Sequence, residues 1–118
     1  MEIVQNGPVI FDGAMGSLLI GKGMKLGDVP EIWNIDHRSD IQDIHTSYLN
    51  SGADAILTNS FGATPLRLHE SNLRERAEEL NTNAVRNAKK AVTNNQFVIG
   101  DIGPTGLFLP PMGKISQQ

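Results

Sequence analysis

Three short apolar runs, each breaking off into polar residues and glycine, constrain this chain more than any other feature. Pro8–Phe11 runs into Asp12-Gly13, Ala53–Leu57 into Thr58-Asn59-Ser60-Phe61-Gly62, and Phe97–Ile99 into Gly100-Asp101-Ile102-Gly103-Pro104. Runs of this length, bounded by turn residues and without polar alternation, are the pattern of strands buried on both faces. Between them the spacing turns helical. Ile41, Ile44, His45, Tyr48 and Leu49 fall on one helical face. Ser39 and Gln42 fit a capping box before it, and Gly52 suits the left-handed residue past its end. Leu73, Ala77, Leu80, Ala84, Ala88 and Ala91 make the inward stripe of a second helix over about 73–93, with alanines small enough for close approach to a sheet. Its other face carries Arg74, Arg76, Glu78, Glu79, Arg86, Lys89 and Lys90 and reads as solvated. Pro65–Ser71 reads as a short extra helix with Pro65 in its first turn.

Strand, helix, strand, helix, strand implies right-handed crossovers and a parallel sheet. A dinucleotide site would need G-x-G-x-x-G directly after the first strand and opening a helix. Here the first loop holds only Gly13-x-x-Gly16 and continues through LLIGKGMKLGDVPEIWN, and no P-loop signature is present. Barrels tolerate such insertions after a strand and place their chemistry there. The expectation is therefore an α/β chain forming the first three β/α units of a (β/α)8 TIM barrel. A whole barrel takes roughly 250 residues, whereas this chain has 118. Residues 1–118 are accordingly expected to be a fragment, the N-terminal part of one barrel domain. The other solution, three units standing alone, leaves open sheet edges that invite pairing with another chain.

Composition narrows the partners. A net charge of −3 argues against nucleic acid and anionic membranes, which reward a basic surface. No apolar run is long enough to span a bilayer, and MEIVQNGPVIFDG lacks the basic flank and apolar stretch of a signal peptide, so a cytoplasmic location is expected. The chain contains no cysteine, which excludes disulfides and thiolate metal ligands of its own. His37, His45 and His69 share no ligand spacing, and His45 lies within an apolar stripe, where a core role is expected. Trp33 is expected to pack.

Parallel strands bring their C-terminal ends to one rim, so Asp12, Thr58-Asn59-Ser60 and Asp101 should converge. Two readings stand at this point. Such residues cap turns and satisfy local backbone groups; alternatively, carboxylates with amide and hydroxyl groups suit a zwitterionic amino acid, the acids meeting its ammonium group. Met15, between the two glycines of the first loop, would lie near such a ligand.

DGAMGS (12–17), PEIWN (30–34), DIHTSYLNSGADAILTNSFGA (43–63) and GDIGPTG (100–106), in that order, resemble the N-terminal part of homocysteine S-methyltransferase domains. That family includes the homocysteine domain of cobalamin-dependent methionine synthase and the betaine–homocysteine methyltransferases. The likeness runs from about Gly7 to Gly113, and GPTGLFLPPMG (103–113) is most similar to bacterial members using betaine or cobalamin-linked donors. The resemblance implies a zinc-dependent enzyme that binds homocysteine at the rim of a barrel and transfers a methyl group to its thiolate to give methionine. Zinc coordination deprotonates a thiol whose free pKa is about 8.5, and the thiolate is the nucleophile. The resemblance leaves the donor open among betaine, a methylated cobalamin carried by a separate domain and charged from methyl-tetrahydrofolate, S-methylmethionine or another methylated compound. The family's zinc ligands are three cysteines, which this chain lacks, so the chain alone is expected to be inactive.

Carried over residue by residue, the resemblance places Asp12 near the homocysteine amino group and lets the backbone approach at Gly13 and Gly16. Thr58, Asn59 and Ser60 match the second-strand motif, Phe61 forms a wall, and Asp101 stands where relatives carry Ser or Asp. The alternatives are that Asp12 caps its own glycine loop, and that the chain is a non-catalytic binding or assembly module derived from the same barrel.

Overall fold

Two parallel strands, β1 (Ala55–Leu57) and β2 (Phe97–Ile99), pair in the register Ala55↔Phe97, Ile56↔Val98 and Leu57↔Ile99. The first apolar run lies on the other side of β1, also parallel, but as a single bridge between Phe11 and Ala55 in place of the expected strand. Its pairing is broken locally. The Ile10 carbonyl accepts from both Asp54 N (2.7 Å) and Ala55 N (3.2 Å), and the Asp54 carboxylate takes Ile10 N at 3.0 Å. The computed structural model describes residues 7–104; the part of GPTGLFLPPMG from Thr105 onward, including Met112, lies outside the described residues.

Burial on both faces holds for Ala55 and Ile56, each 0% exposed, but not for Ile10, Phe11 and Phe97, which are 58%, 50% and 43% exposed. The outer runs have a strand neighbour on one side only among the described residues, so their side chains are half covered.

The long loop after Phe11 is more structured than its sequence implied. It holds helix α1 (Gly16–Gly21), a 3-10 turn at Pro30–Ile32 and a single helical turn α2 (Trp33–Asp36). Leu19 from α1, Met24 and Trp33 pack with Ile41 and Ile44 of helix α3 (Arg38–Asn50) in one cluster of the core. Burying these five apolar side chains anchors a segment whose own propensity for regular structure is weak. Trp33 also stacks on His37, ring centroids 3.9 Å apart.

Helix α3 buries Ile41, Ile44, His45 and Leu49, the stripe expected from its spacing. It ends as anticipated: Gly52 has φ 111°, and Ala53 N reaches back to the Tyr48 carbonyl at 3.1 Å, satisfying an end carbonyl. Its start differs. The helix opens at Arg38 after His37, with no side-chain cap, and Ser39 lies inside the first turn. Gln42 cannot reach back because its amide donates to Asn87 Oδ1 at 3.0 Å, across to another helix.

Helix α4 (Pro65–His69) is capped by Thr64, whose hydroxyl accepts from Arg67 N at 3.3 Å, with Pro65 at the first position. The next helix starts later than its apolar stripe implied. Asn72 takes a left-handed φ of 58°, Arg74–Arg76 form a 3-10 turn, and helix α5 covers Ala77–Ala91. Its buried face includes Leu80, Ala84 and Ala88 but also Asn83 and Asn87, polar residues that an apolar stripe does not pick out. A second cluster joins Leu49, Ile56 and Ala88, with Val98 and Tyr48 packed against it, so the helices α3 and α5 bind the sheet through small and branched side chains.

Candidate functional site

The carboxyl ends of the three parallel segments meet, and hydrogen bonds tie them to one another rather than leaving them as separate turns. Asp12 N donates to the Ala55 carbonyl at 3.1 Å while Asp12 Oδ2 accepts from Leu57 N at 3.1 Å. Thr58 N donates to the Ile99 carbonyl at 2.9 Å. All the site residues named from the sequence, from Asp12 to Asp101, line one cleft of about 400 Å³, together with Ala14, Pro30, Glu31 and Leu57.

Thr58, Ser60 and Asp101 form a closed ring. Asp101 N donates to Thr58 Oγ1 at 3.0 Å, the two hydroxyl oxygens lie 2.6 Å apart, and Ser60 Oγ is 2.7 Å from the Asp101 carbonyl. The proton order follows. A carbonyl only accepts, so the single Ser60 proton goes to Asp101 O, and the Thr58 hydroxyl must donate to Ser60. Both hydroxyl protons are spent within the protein. What these oxygens have left to offer a ligand is lone pairs.

Asn59 is equally committed. Its amide nitrogen donates to the Pro30 carbonyl at 2.9 Å and to Asn34 Oδ1 at 3.0 Å, which uses both of its protons. Asn59 therefore works as a strut between the second rim segment and the Pro30–Asn34 turn, with only its Oδ1 unspent.

The charged groups are all acids. Burial raises the Asp12 carboxyl above its ordinary range, opposed by the hydrogen bonds from the Leu57 and Asp12 backbone, and the Asp101 charge pushes it further up. Asp12 Oδ1 is buried with no hydrogen-bond partner among the described residues. The side chain of Glu31 is a contributor that sequence reasoning passed over. It is 5% exposed, and burial raises its carboxyl while the Gly62 backbone and the more distant Arg67 counter the effect. The signal was present, an acid following Pro30 inside an otherwise apolar Val29–Trp33 segment, but PEIWN carried no assigned role for it. Among the described residues no Lys, Arg or His lines the cleft.

The loop residues shape the opening. A side chain at Gly13 would come within 3.1 Å of the Tyr48 hydroxyl, which itself donates to the Ala14 carbonyl. Gly16 opens α1 with free space around it, and Met15 packs against the Leu19 cluster while lining the cleft. Phe61 is 54% exposed, and its carbonyl accepts from Gly103 N at 3.0 Å. His45 is fully buried in the core, and His37 pairs with Asp40 at 3.6 Å on the surface, so neither belongs to the cleft.

The donor chemistry does not suit a resident zinc. The chain has no cysteine, and among the described residues no group of three His, Cys, Asp or Glu side chains is placed to hold a metal. No described helix is long and apolar enough to cross a membrane.

Comparison with known proteins gives a consistent result. Methionine synthase of Mycobacterium tuberculosis (strain ATCC 25618 / H37Rv) is 27% identical over 125 residues, covering 96% of this chain and 10% of that protein. Homocysteine S-methyltransferase of Escherichia coli (strain K12) is 30% identical over 115 residues, covering 86% of this chain and 36% of its relative. Among solved structures, the metallated form of the homocysteine methyltransferase MmuM from Escherichia coli superposes with a TM-score of 0.74 at 26% identity, over 89% of this chain and 41% of that one. The chain thus spans between 10% and 41% of the length of these relatives. The sequence model described as homocysteine S-methyltransferase matches residues 9–118, from the first apolar run through all three rim segments that build the cleft, and the chain belongs to that family.

Proposed function

We propose that the cleft binds the amino-acid end of homocysteine in an enzyme that methylates its sulfur to give methionine. One observation carries the reading: among the described residues the cleft offers carboxylates and lone pairs but no cationic side chain. A ligand held there must bring donors and positive charge, and homocysteine brings both in its ammonium group. Asp12 is the primary contact, an acid that lines the cleft where the first rim segment meets β1. Thr58 Oγ1 and Ser60 Oγ supply neutral acceptors beside it. Met15 and Phe61 flank the methylene chain.

The reading takes the cleft as the C-terminal mouth of a (β/α)8 barrel, of which the Phe11 segment, β1 and β2 form consecutive parallel neighbours. In the transfer, a bond forms between sulfur and the methyl carbon as the methyl–donor bond breaks. The bonding pair leaves with the donor, and the thiol proton is released. The donor is a methylated compound such as betaine, a methylated cobalamin or S-methylmethionine. The residues of this chain bind and orient the nucleophile's amino-acid end. Among the described residues no group fits a zinc ion.

Isothermal titration of the full-length protein with L-homocysteine, paired with a methyl-transfer assay detecting methionine, tests the reading. Stoichiometric binding and methionine formation are expected. Absence of homocysteine binding overturns it.

A further inference from the structure

We propose that Glu31 is a specificity-determining residue of this cleft, the second anionic contact for a ligand's α-ammonium group after Asp12, so that amino acids are accepted and their deaminated analogues rejected. The inference rests on the reading of the cleft as an amino-acid site.

Glu31 has no ion-pair partner in contact among the described residues. Its Oε2 accepts a long hydrogen bond from Gly62 N, at 3.4 Å, and its own backbone N–H also favours the charged form, against a larger cost of burial. Arg67 is near enough to act on the charge but forms no direct ion pair with it. A carboxylate that is 5% exposed and so weakly compensated is costly to keep. The cost falls when a cation arrives in the cleft that Glu31 lines.

Its position is also built rather than incidental. The carbonyl of Pro30, the residue before it, is held by Asn59 Nδ2 at 2.9 Å, which fixes the turn that presents the acid. On the opposite side the chain passes at Gly62, where a side-chain carbon would stand 3.0 Å from Glu31 Oε1. Glycine at that position leaves the carboxylate its space. Asp101 completes the acidic lining, and its charge raises both Asp12 and Glu31, so the added positive charge of a ligand is felt by all of them together. An anionic ligand end meets only like charge from the described acids in this part of the cleft.

The competing explanation is that Glu31 only braces the Gly62 backbone. Glu31→Gln separates the two, because Gln keeps a carbonyl oxygen for Gly62 N and removes the charge. The full-length protein and its E31Q variant are titrated with L-methionine and with 4-(methylthio)butanoate, which differ only in the ammonium group and carry no thiol to ionise. The wild-type protein is expected to prefer methionine, and E31Q to lose about 10- to 100-fold of that preference, the value of one charge-assisted hydrogen bond, with affinity for the analogue unchanged. Gly62→Ala, which crowds the carboxylate without removing it, should shift the ratio in the same direction. If both variants keep the wild-type ratio, Glu31 is a brace and the inference is overturned while the amino-acid site stands. If the wild-type protein itself shows no preference for methionine, the amino-acid reading fails and takes this inference with it.

Discussion

Asn34 and Asn59 hold each other: Asn59 Nδ2 donates to Asn34 Oδ1 at 3.0 Å, and Asn34 Nδ2 returns a bond to the Asn59 carbonyl at 2.8 Å. Asn34 also donates to the Leu80 carbonyl at 3.2 Å, and its own carbonyl accepts from Asn87 Nδ2 at 2.9 Å. The Pro30–Asn34 turn, the rim after β1 and two turns of α5 are thereby joined through one fully buried residue, by its side-chain amide and its backbone carbonyl. Such a network is favourable only when every member is satisfied.

Replacing Asn34 with Leu keeps the volume but leaves the Asn59 carbonyl and one Asn59 amide proton without partners and removes the extra bond to the Leu80 carbonyl. A loss of about 2–5 kcal/mol in stability is expected, since each buried group left unpaired costs about 1–3 kcal/mol. Urea unfolding of the full-length protein measures it. A loss below about 0.5 kcal/mol, typical of an inert surface change, contradicts the network's role.

Asp12→Asn removes the charge and places an amide where the Leu57 N–H now finds a carboxylate oxygen. Affinity for homocysteine in the full-length protein should fall about 10- to 100-fold, the range for a lost charge-assisted contact. Unaltered affinity in a titration would remove Asp12 from the ligand site and leave it as a cap on its own loop.

Gly103 cannot carry a side chain without movement of the rim. A Cβ there would collide with the Phe61 carbonyl oxygen and lie 2.9 Å from two carbons of the Phe61 ring. Gly103→Ala is expected to cost about 1–3 kcal/mol, the usual range for forcing extra carbon into a packed contact. It should also disturb the 3.0 Å bond from Gly103 N to Phe61 O. Thermal melting of the variant, read beside ligand affinity, reports both effects; an unchanged melting temperature refutes the crowding argument.

His45 should make stability depend on pH. Its imidazole is 0% exposed, neither ring nitrogen has a partner among the described residues, and burial lowers its pKa to about 4 from 6.5. The unfolded chain takes up a proton as pH falls below 6.5 and the folded chain does so only near 4, so acid favours unfolding across that window. The stability present above pH 6.5 is lost as pH falls through 4, by on the order of 3 kcal/mol. Denaturant unfolding at pH 5 and pH 7, in the wild-type protein and in His45→Leu, tests this. The variant should lose most of the difference between the two pH values, and an equal difference in both proteins would show that another group is responsible.

The helices α3, α4 and most of α5 were legible because apolar spacing, a proline at a helix start and a glycine at a helix end act within a few residues. The two regular strands were legible for a similar reason, as short apolar runs with turn residues after them. The first run pairs in parallel with β1 as expected, but only as a single bridge at Phe11. Whether it pairs as a strand depends on how the Ile10 carbonyl is shared between Asp54 and Ala55, forty-odd residues away in sequence. The late start of α5 depends on the left-handed Asn72 and the 3-10 turn that follows, and neither interrupts the apolar stripe.

At the site, local chemistry was enough to nominate Asp12, the Thr58–Phe61 segment and Asp101, since acids and hydroxyls at the ends of buried strands stand out against their surroundings. It was not enough to say what those groups have left to give. The Thr58 hydroxyl proton goes to Ser60 two residues on, but the Ser60 proton and the amide protons of Asn59 are consumed by Asp101, Pro30 and Asn34 from other parts of the chain, and Glu31 lines the cleft on a distant turn that Asn59 holds beside it. Residue type and spacing follow from the order of the chain; the direction of each hydrogen bond, and hence the charge a ligand must carry, is a property of groups brought together from far apart.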